Sequence, residues 1–187
     1  MKRKMSDYKR VKLPGGLYFF TVVTFNRHKF LTSELARNIL RQVWQEVQKN
    51  HPFDVEAICL LPDHLHCLWR LPPDDCDYPK RWRLIKGMFR KHYLKTGGEP
   101  GIWNKSRQEK SEVALWQRRY WEHTIRDEKD FVRHVDYIHI NPVKHGYDNK
   151  PGDWEWSSYH RYLKQGYYSE EWGSDDIVCD DKNEFGE

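Results

Sequence analysis

The sequence predicts an α+β domain: a ferredoxin-like antiparallel sheet with two helices on one face and an extra helix over the other. Three observations carry that expectation. Hydrophobic periodicity alternates between strand-like and helix-like in the order β-α-β-β-α-β-α. The second and third strand-like runs are separated only by a short Pro62-Asp63 link, which makes them neighbours in an antiparallel pair. The chain has 187 residues, enough for one sizeable core, and shows no internal repeat.

Residues 1–14 are basic and are expected to form a flexible arm. Residues 17–27 mix aromatic and β-branched side chains with apolar groups on both faces, the pattern of a central strand covered on each side. Thr32 or Ser33 can cap a helix whose apolar stripe is Leu35, Ile39, Val43 and Val47, ending near Asn50 and Pro52. Residues 53–61 and 65–71 read as the second and third strands, with two histidines at the start of the third. After the loop Pro72-Pro73-Asp74-Asp75, residues 79–96 form a second helix with the stripe Trp82, Ile85, Phe89 and Tyr93. Lys80, Arg81, Arg83, Lys86, Arg90, Lys91 and Lys95 fill much of its remaining surface, with no acid among them. Residues 97–114 are polar and aperiodic, a surface loop, and residues 116–126 contain the fourth strand. Asp127 caps the third helix, which buries Phe131, Val135 and Ile138, leaves Tyr137 at the margin of the buried face, and stops at Pro142. The aromatics of 154–159 and 167–172 are expected to pack on the domain, with base stacking as the alternative.

Charge divides the chain. Residues 167–187 hold eight acids against Lys182, a net charge of −7, so residues 1–166 carry +11 of an overall +4. A domain that basic points to a polyanion partner, and nucleic acid is the leading candidate. The boundaries expected are one domain over 1–173 and an acidic, flexible tail over 174–187. A mean hydropathy of −0.97 and the lack of any apolar run near ~20 residues exclude a membrane-spanning segment as the reading. The basic N-terminus has no apolar stretch after it, so no secretory signal is expected. The four cysteines show neither CxxC nor knuckle spacing, which fits reduced thiols and a cytoplasmic location.

His64-Leu65-His66 is the motif around which the chemistry gathers. On a strand the two histidines share a face, so both imidazoles can hold one metal ion and leave room for a substrate oxygen. Tyr137 and Asn141 lie one helical turn apart and project from nearly the same side. The bland alternative is a pair of ordinary polar positions and a half-buried helix tyrosine.

These blocks carry a resemblance. His64-Leu65-His66 resembles the HUH signature (His, hydrophobic, His) of single-tyrosine endonucleases. Its context Leu-Pro-Asp-His-Leu-His-Cys-Leu-Trp, with Tyr-Trp-Glu-His-Thr-Ile-Arg-Asp and His134-Val-Asp-Tyr-Ile-His-Ile-Asn-Pro-Val-Lys-His-Gly146, is similar to the REP-associated tyrosine transposases. The resemblance spans 18–173 and implies the fold already expected. It implies that Tyr137 is the nucleophile and that His64, His66 and Asn141 hold Mg²⁺ or Mn²⁺, in a site expected to be partly open. It implies cleavage and rejoining of single-stranded DNA bearing a palindromic hairpin, through a 5′-phosphotyrosine. Related insertion-sequence transposases carry glutamine at the Asn141 position, and the 97–114 loop is longer than the family pattern. Arg3, Lys4, Lys9 and Arg10 of the arm, with Arg81, Arg83, Lys86, Arg90 and Lys91 of the second helix, are the candidate DNA contacts. A monomer is expected, with a dimer as the alternative. Two other functions remain at this stage: a hairpin-binding protein that does not cleave, and a replication-initiator or relaxase type, for which no helicase or primase segment is present.

Overall fold

The computed structural model describes residues 12–99, 114–173 and 185–186. Four strands form one antiparallel sheet in the order β2-β3-β1-β4. They are β1 (Leu17–Val23), β2 (Asp54–Leu60), β3 (His64–Arg70) and β4 (Trp121–Thr124). The helices are α1 (Glu34–Asn50), α2 (Tyr78–Lys95), α3 (Glu128–Lys144) and a short α4 (Tyr159–Lys164) that the sequence pattern did not signal. The expected element order and central position of β1 are both present. β1 ends earlier than its apolar run suggests, because Asn26 and Arg27 take left-handed φ values of 53° and 51° in a tight turn.

Strand alternation sorts the core into two layers. Tyr18, Phe20 and Val22 of β1 and Leu65, Cys67 and Trp69 of β3 meet α1 and α2 on one face. Phe19 of β1, Leu68 of β3 and Ala57 and Cys59 of β2 meet Val135, Tyr137 and Ile138 of α3 on the other. Trp69 and Trp82 stack at 4.3 Å in the first layer, the geometry by which α2 is fixed to the sheet.

Ser33 caps α1 by accepting a hydrogen bond from Ala36 N. The buried stripe of α1 is Ala36, Ile39, Leu40, Val43, Trp44 and Val47, whereas Leu35 is exposed, one position off the expected line. Asp127 caps α3 as expected, accepting from Asp130 N at 2.8 Å. Pro142 does not stop that helix, which runs on to Lys144. A proline removes one donor, and the following turn is held by His145 N on the Asn141 carbonyl and Gly146 N on that of Val143. Gly146, at φ 66°, then reverses the chain.

The basic helix α2 needs a correction at Arg81. Its side chain is buried and donates to Asp75 at 2.7 Å, and also to the carbonyls of His51, Pro52 and Asp77. It joins the α1–β2 turn to the start of α2 and is withdrawn from any DNA surface. Arg83, Arg90 and Lys91 are exposed, and half-buried Lys86 donates to the carbonyl of Gln117 at 2.6 Å. Arg3, Lys4, Lys9 and Arg10, and most of the 97–114 loop, lie outside the described residues. The aromatics after α3 pack largely as expected: Trp154 and Tyr159 are buried, and Trp154 donates to the carbonyl of Leu60. Among the described residues, no helix is long and apolar enough to cross a membrane.

Candidate active site

The sheet face beneath α3 carries the histidine pair. In the β1–β3 register Thr21 lies opposite His66 and Val23 opposite His64. The two imidazoles are 4.9 Å apart between centroids and nearly perpendicular. Tyr137 comes down from α3 onto His66, ring to ring at 5.2 Å. Asn141 follows one turn on along the same helix, fully buried. The sequence-expected set of His64, His66, Tyr137 and Asn141 is therefore drawn from β3 and α3 to one side of the sheet.

Hydrogen bonds place a proton on Nδ1 of each histidine. His64 Nδ1 is 2.7 Å from a carboxylate oxygen of Asp63, which only accepts, so Nδ1 carries a proton, and in the neutral ring Nε2 keeps its lone pair. The single hydroxyl proton of Thr21 goes to the carbonyl of Phe185 at 2.6 Å. Thr21 Oγ1 then accepts from His66 Nδ1 at 2.9 Å, and in the neutral ring Nε2 again keeps its lone pair. Burial raises the Asp63 carboxyl, but hydrogen bonds from His64 and Arg27 outweigh it and hold the group at about 2. An ionised carboxylate behind a neutral imidazole is the arrangement that orients histidine toward a cation. Nε2 of His64 and Oδ1 of Asn141 are both fully enclosed atoms. The ligands expected from the sequence would offer two imidazole nitrogens and a carboxamide oxygen, donors that suit a divalent cation that also takes oxygen from a substrate.

Three features depart from expectation. The site is closed rather than partly open: His64, His66 and Asn141 are 0 % exposed and Tyr137 is 2 % exposed. Tyr137 is therefore inside the core layer and not at its margin. The tail is not wholly detached, because Phe185 is buried and stacks face to face on Tyr137 at 3.6 Å with 9° between the ring planes. The rest of 174–187, apart from Gly186, lies outside the described residues.

Several residues of the site were not singled out from the sequence. Asp63 had a signal, standing directly before the first histidine. Lys144 had one too, seven positions after Tyr137, but the expected stop at Pro142 hid it. In the structure Lys144 Nζ donates to Tyr137 Oη at 3.0 Å. Thr21 and Phe185 had none, being brought in by strand pairing and by a contact across more than a hundred residues.

A separate group could also hold a cation. Ligand atoms of His123, Asp130 and His134 lie within 4.8 Å of one another, at the junction of β4 and α3. It shares no residue with the set expected from the sequence. Burial raises the Asp130 carboxyl, and hydrogen bonds from His123 and Arg126 bring it down to about 2. One oxygen, Oδ2, already accepts from His123 at 2.8 Å, Arg126 N at 3.0 Å and Arg126 Nε at 3.2 Å, so an ion there would displace these bonds. Burial lowers the His134 pKa, and its ring stacks on His123 at 4.6 Å. His134 itself is buried, with Nδ1 bonded to the carbonyl of Asp130.

Comparison with known proteins accords with this arrangement. The chain matches the family described as "Transposase IS200 like" over residues 15–141, which includes β3 and α3 as far as Asn141. It is 41% identical over 172 residues to the REP-associated tyrosine transposase of Escherichia coli K12, covering 91% of this chain and 93% of that protein. A candidate REP-associated tyrosine transposase of Haemophilus influenzae Rd is 45% identical over 170 residues, covering 90% and 94%. A solved structure of a REP-associated tyrosine transposase bound to a REP hairpin superposes with a TM-score of 0.74 at 38% identity, covering 91% of this chain and 93% of that one. With the histidine pair, the helix-borne tyrosine and relatives of this closeness together, the chain belongs to the IS200-like transposases, among the REP-associated tyrosine transposases.

Proposed function

We propose that this protein cleaves and rejoins single-stranded DNA next to a REP-like hairpin, with Tyr137 as nucleophile and a 5′-phosphotyrosine as the covalent intermediate. The observation that carries the reading is the approach of Tyr137 to His66 at 5.2 Å, with Asn141 one turn further along the same helix. His64, His66 and Asn141 would hold one divalent cation, Mg²⁺ or Mn²⁺, which when bound supplies Lewis-acid neutralisation at the scissile phosphate.

The chain's own residues do the rest. Asp63 and Thr21 keep both histidines in the tautomer with Nε2 unprotonated. The strand fixes the spacing of the two rings, and α3 fixes Tyr137 above them, so attack needs no search for geometry. Tyr137 Oη displaces the 3′-oxygen, leaving a 3′-hydroxyl and the 5′-phosphate on the tyrosine. One ester replaces another, so no nucleotide cofactor is needed and the reverse attack by a 3′-hydroxyl rejoins the strand. Arg83, Arg90 and Lys91 are the exposed cations of α2 that remain candidates for phosphate contact. They project from the helix layer opposite α3, so any DNA they touch passes around the sheet edge. Monomer, cytoplasmic action is the accompanying reading.

The test is a denaturing gel of the full chain incubated with a single-stranded REP hairpin oligonucleotide and Mn²⁺. Wild type is expected to form a covalent adduct, and Tyr137→Phe to bind the hairpin without forming one. Adduct persisting in the phenylalanine variant would assign the attack elsewhere. Binding without adduct in wild type would leave a hairpin-binding protein.

A further inference from the structure

We infer that Lys144 is a catalytic residue of this site: its ammonium holds the attacking oxygen of Tyr137 and gives a fixed positive charge to the phosphoryl group that oxygen attacks. The inference rests on Tyr137 being the nucleophile. Lys144 Nζ donates to Tyr137 Oη at 3.0 Å, and the ammonium stands 4.5 Å from the centroid of the tyrosine ring. The two residues are seven positions apart on α3, close to two full turns, so their side chains leave the helix on nearly the same side. That register exists only because α3 continues through Pro142. A chain that left the helix at Asn141 would carry the lysine away. The last turn of a helix also favours a cation, since its carbonyl ends carry partial negative charge.

The chemistry favours a positive charge here in addition to the cation that His64, His66 and Asn141 would hold. His64, His66 and Asn141 are neutral donors, and a phosphodiester brings a negative charge that concentrates on its non-bridging oxygens as Tyr137 Oη closes on phosphorus. At the near-attack separation of about 3–3.5 Å between Oη and phosphorus, an Nζ already bonded to Oη lies within reach of one of those oxygens. An ammonium has three donors, so one can stay on Oη while another turns to the phosphate. A cation held there beforehand stabilises the transition state without reorganising. The bonds balance: Oη–P forms and P–O3′ breaks. The tyrosine proton passes to water, and the departing 3′-oxygen takes a proton from water. Lys144 stays an ammonium throughout.

The experiment compares wild type, Lys144→Met and Lys144→Arg in the full chain, at saturating Mn²⁺, with a single-stranded REP hairpin oligonucleotide. After the cleavage position is mapped with wild type, a second oligonucleotide carries an uncharged methylphosphonate at that phosphate. On the phosphodiester, Lys144→Met is expected to slow adduct formation about 100-fold at saturating DNA. Its hairpin Kd should stay within about threefold, and the arginine variant should recover most of the rate, because guanidinium keeps both charge and donors. On the methylphosphonate, the gap between Lys144→Met and wild type should close to within about fivefold, since the charge the lysine answers is gone. Equal losses on both substrates would overturn the inference, as would a loss confined to Kd or a failure of arginine to restore rate while urea melts stay unchanged. Tyr137→Phe runs alongside. Adduct in that variant would bring down the nucleophile assignment and this inference together, whereas its absence with no lysine effect brings down the inference alone.

Discussion

Asp63 decides which nitrogen of neutral His64 carries the proton, and so which nitrogen the ring would offer a cation. Asp63→Asn keeps the shape but replaces a carboxylate that only accepts with an amide that can also donate. Mn²⁺ affinity is expected to fall about 10–100-fold, read by metal titration, with the helical signal unchanged. The same carboxyl has an acid signature. Its folded pKa of about 2 lies below the ordinary 3.8, so its contribution to stability is complete above the ordinary value and is lost as pH falls through about 2. The stability gap between wild type and Asp63→Asn should therefore narrow between about pH 4 and pH 2, and urea melts across that range check it. His64→Ala is expected to cost about 1–3 kcal/mol in the same melts, because it leaves a buried carboxylate short of its donor. An open site would have tolerated the change, and this one is closed.

On α2, two kinds of arginine share one basic helix, and only packing tells them apart. Arg81→Met should destabilise the fold by about 2–3 kcal/mol, since it removes charged hydrogen bonds to Asp75 and to three carbonyls, while DNA affinity per folded molecule stays level. Neutralising Arg83, Arg90 and Lys91 should do the reverse. Stability should move by less than about 0.5 kcal/mol, and the salt dependence of binding should flatten by about 0.7 for each phosphate no longer neutralised. A salt slope identical to wild type would take α2 off the DNA path. In α3 the instructive residue is Pro142. Reading it as a stop is sound for a helix interior, yet a proline near the C-terminal end costs only one bond, and the helix keeps Lys144 in register with Tyr137.

At the scale of the whole molecule, the C-terminal segment brings Phe185 to rest on Tyr137. The acids of 174–187 and the Phe185 ring act by different physics and can be separated. Truncation after Gly173 removes both, and Phe185→Ala removes only the ring. If the acids compete with DNA for the basic surface, truncation tightens hairpin binding at low salt and the gain fades as the Debye length shrinks from about 10 Å at 0.1 M. Any gain from uncovering Tyr137 should appear in Phe185→Ala as faster adduct formation and persist at high salt. Equal affinity and equal rate in all three chains at low salt would leave the segment without a regulatory part.

The sequence by itself determined the element order, the central strand, the cap at Asp127, a cap at either Thr32 or Ser33, and the four side chains on which the function reading turns. Those follow from local rules, namely period two or 3.6, short polar side chains at helix starts, and a motif on one strand face. Tertiary structure alone decided the rest. It closed the site, turned Arg81 inward, set Thr21 opposite His66, carried α3 past Pro142 and laid Phe185 on Tyr137. Each of these depends on partners far apart in the chain, and a periodicity that says which face is buried does not say what will cover it.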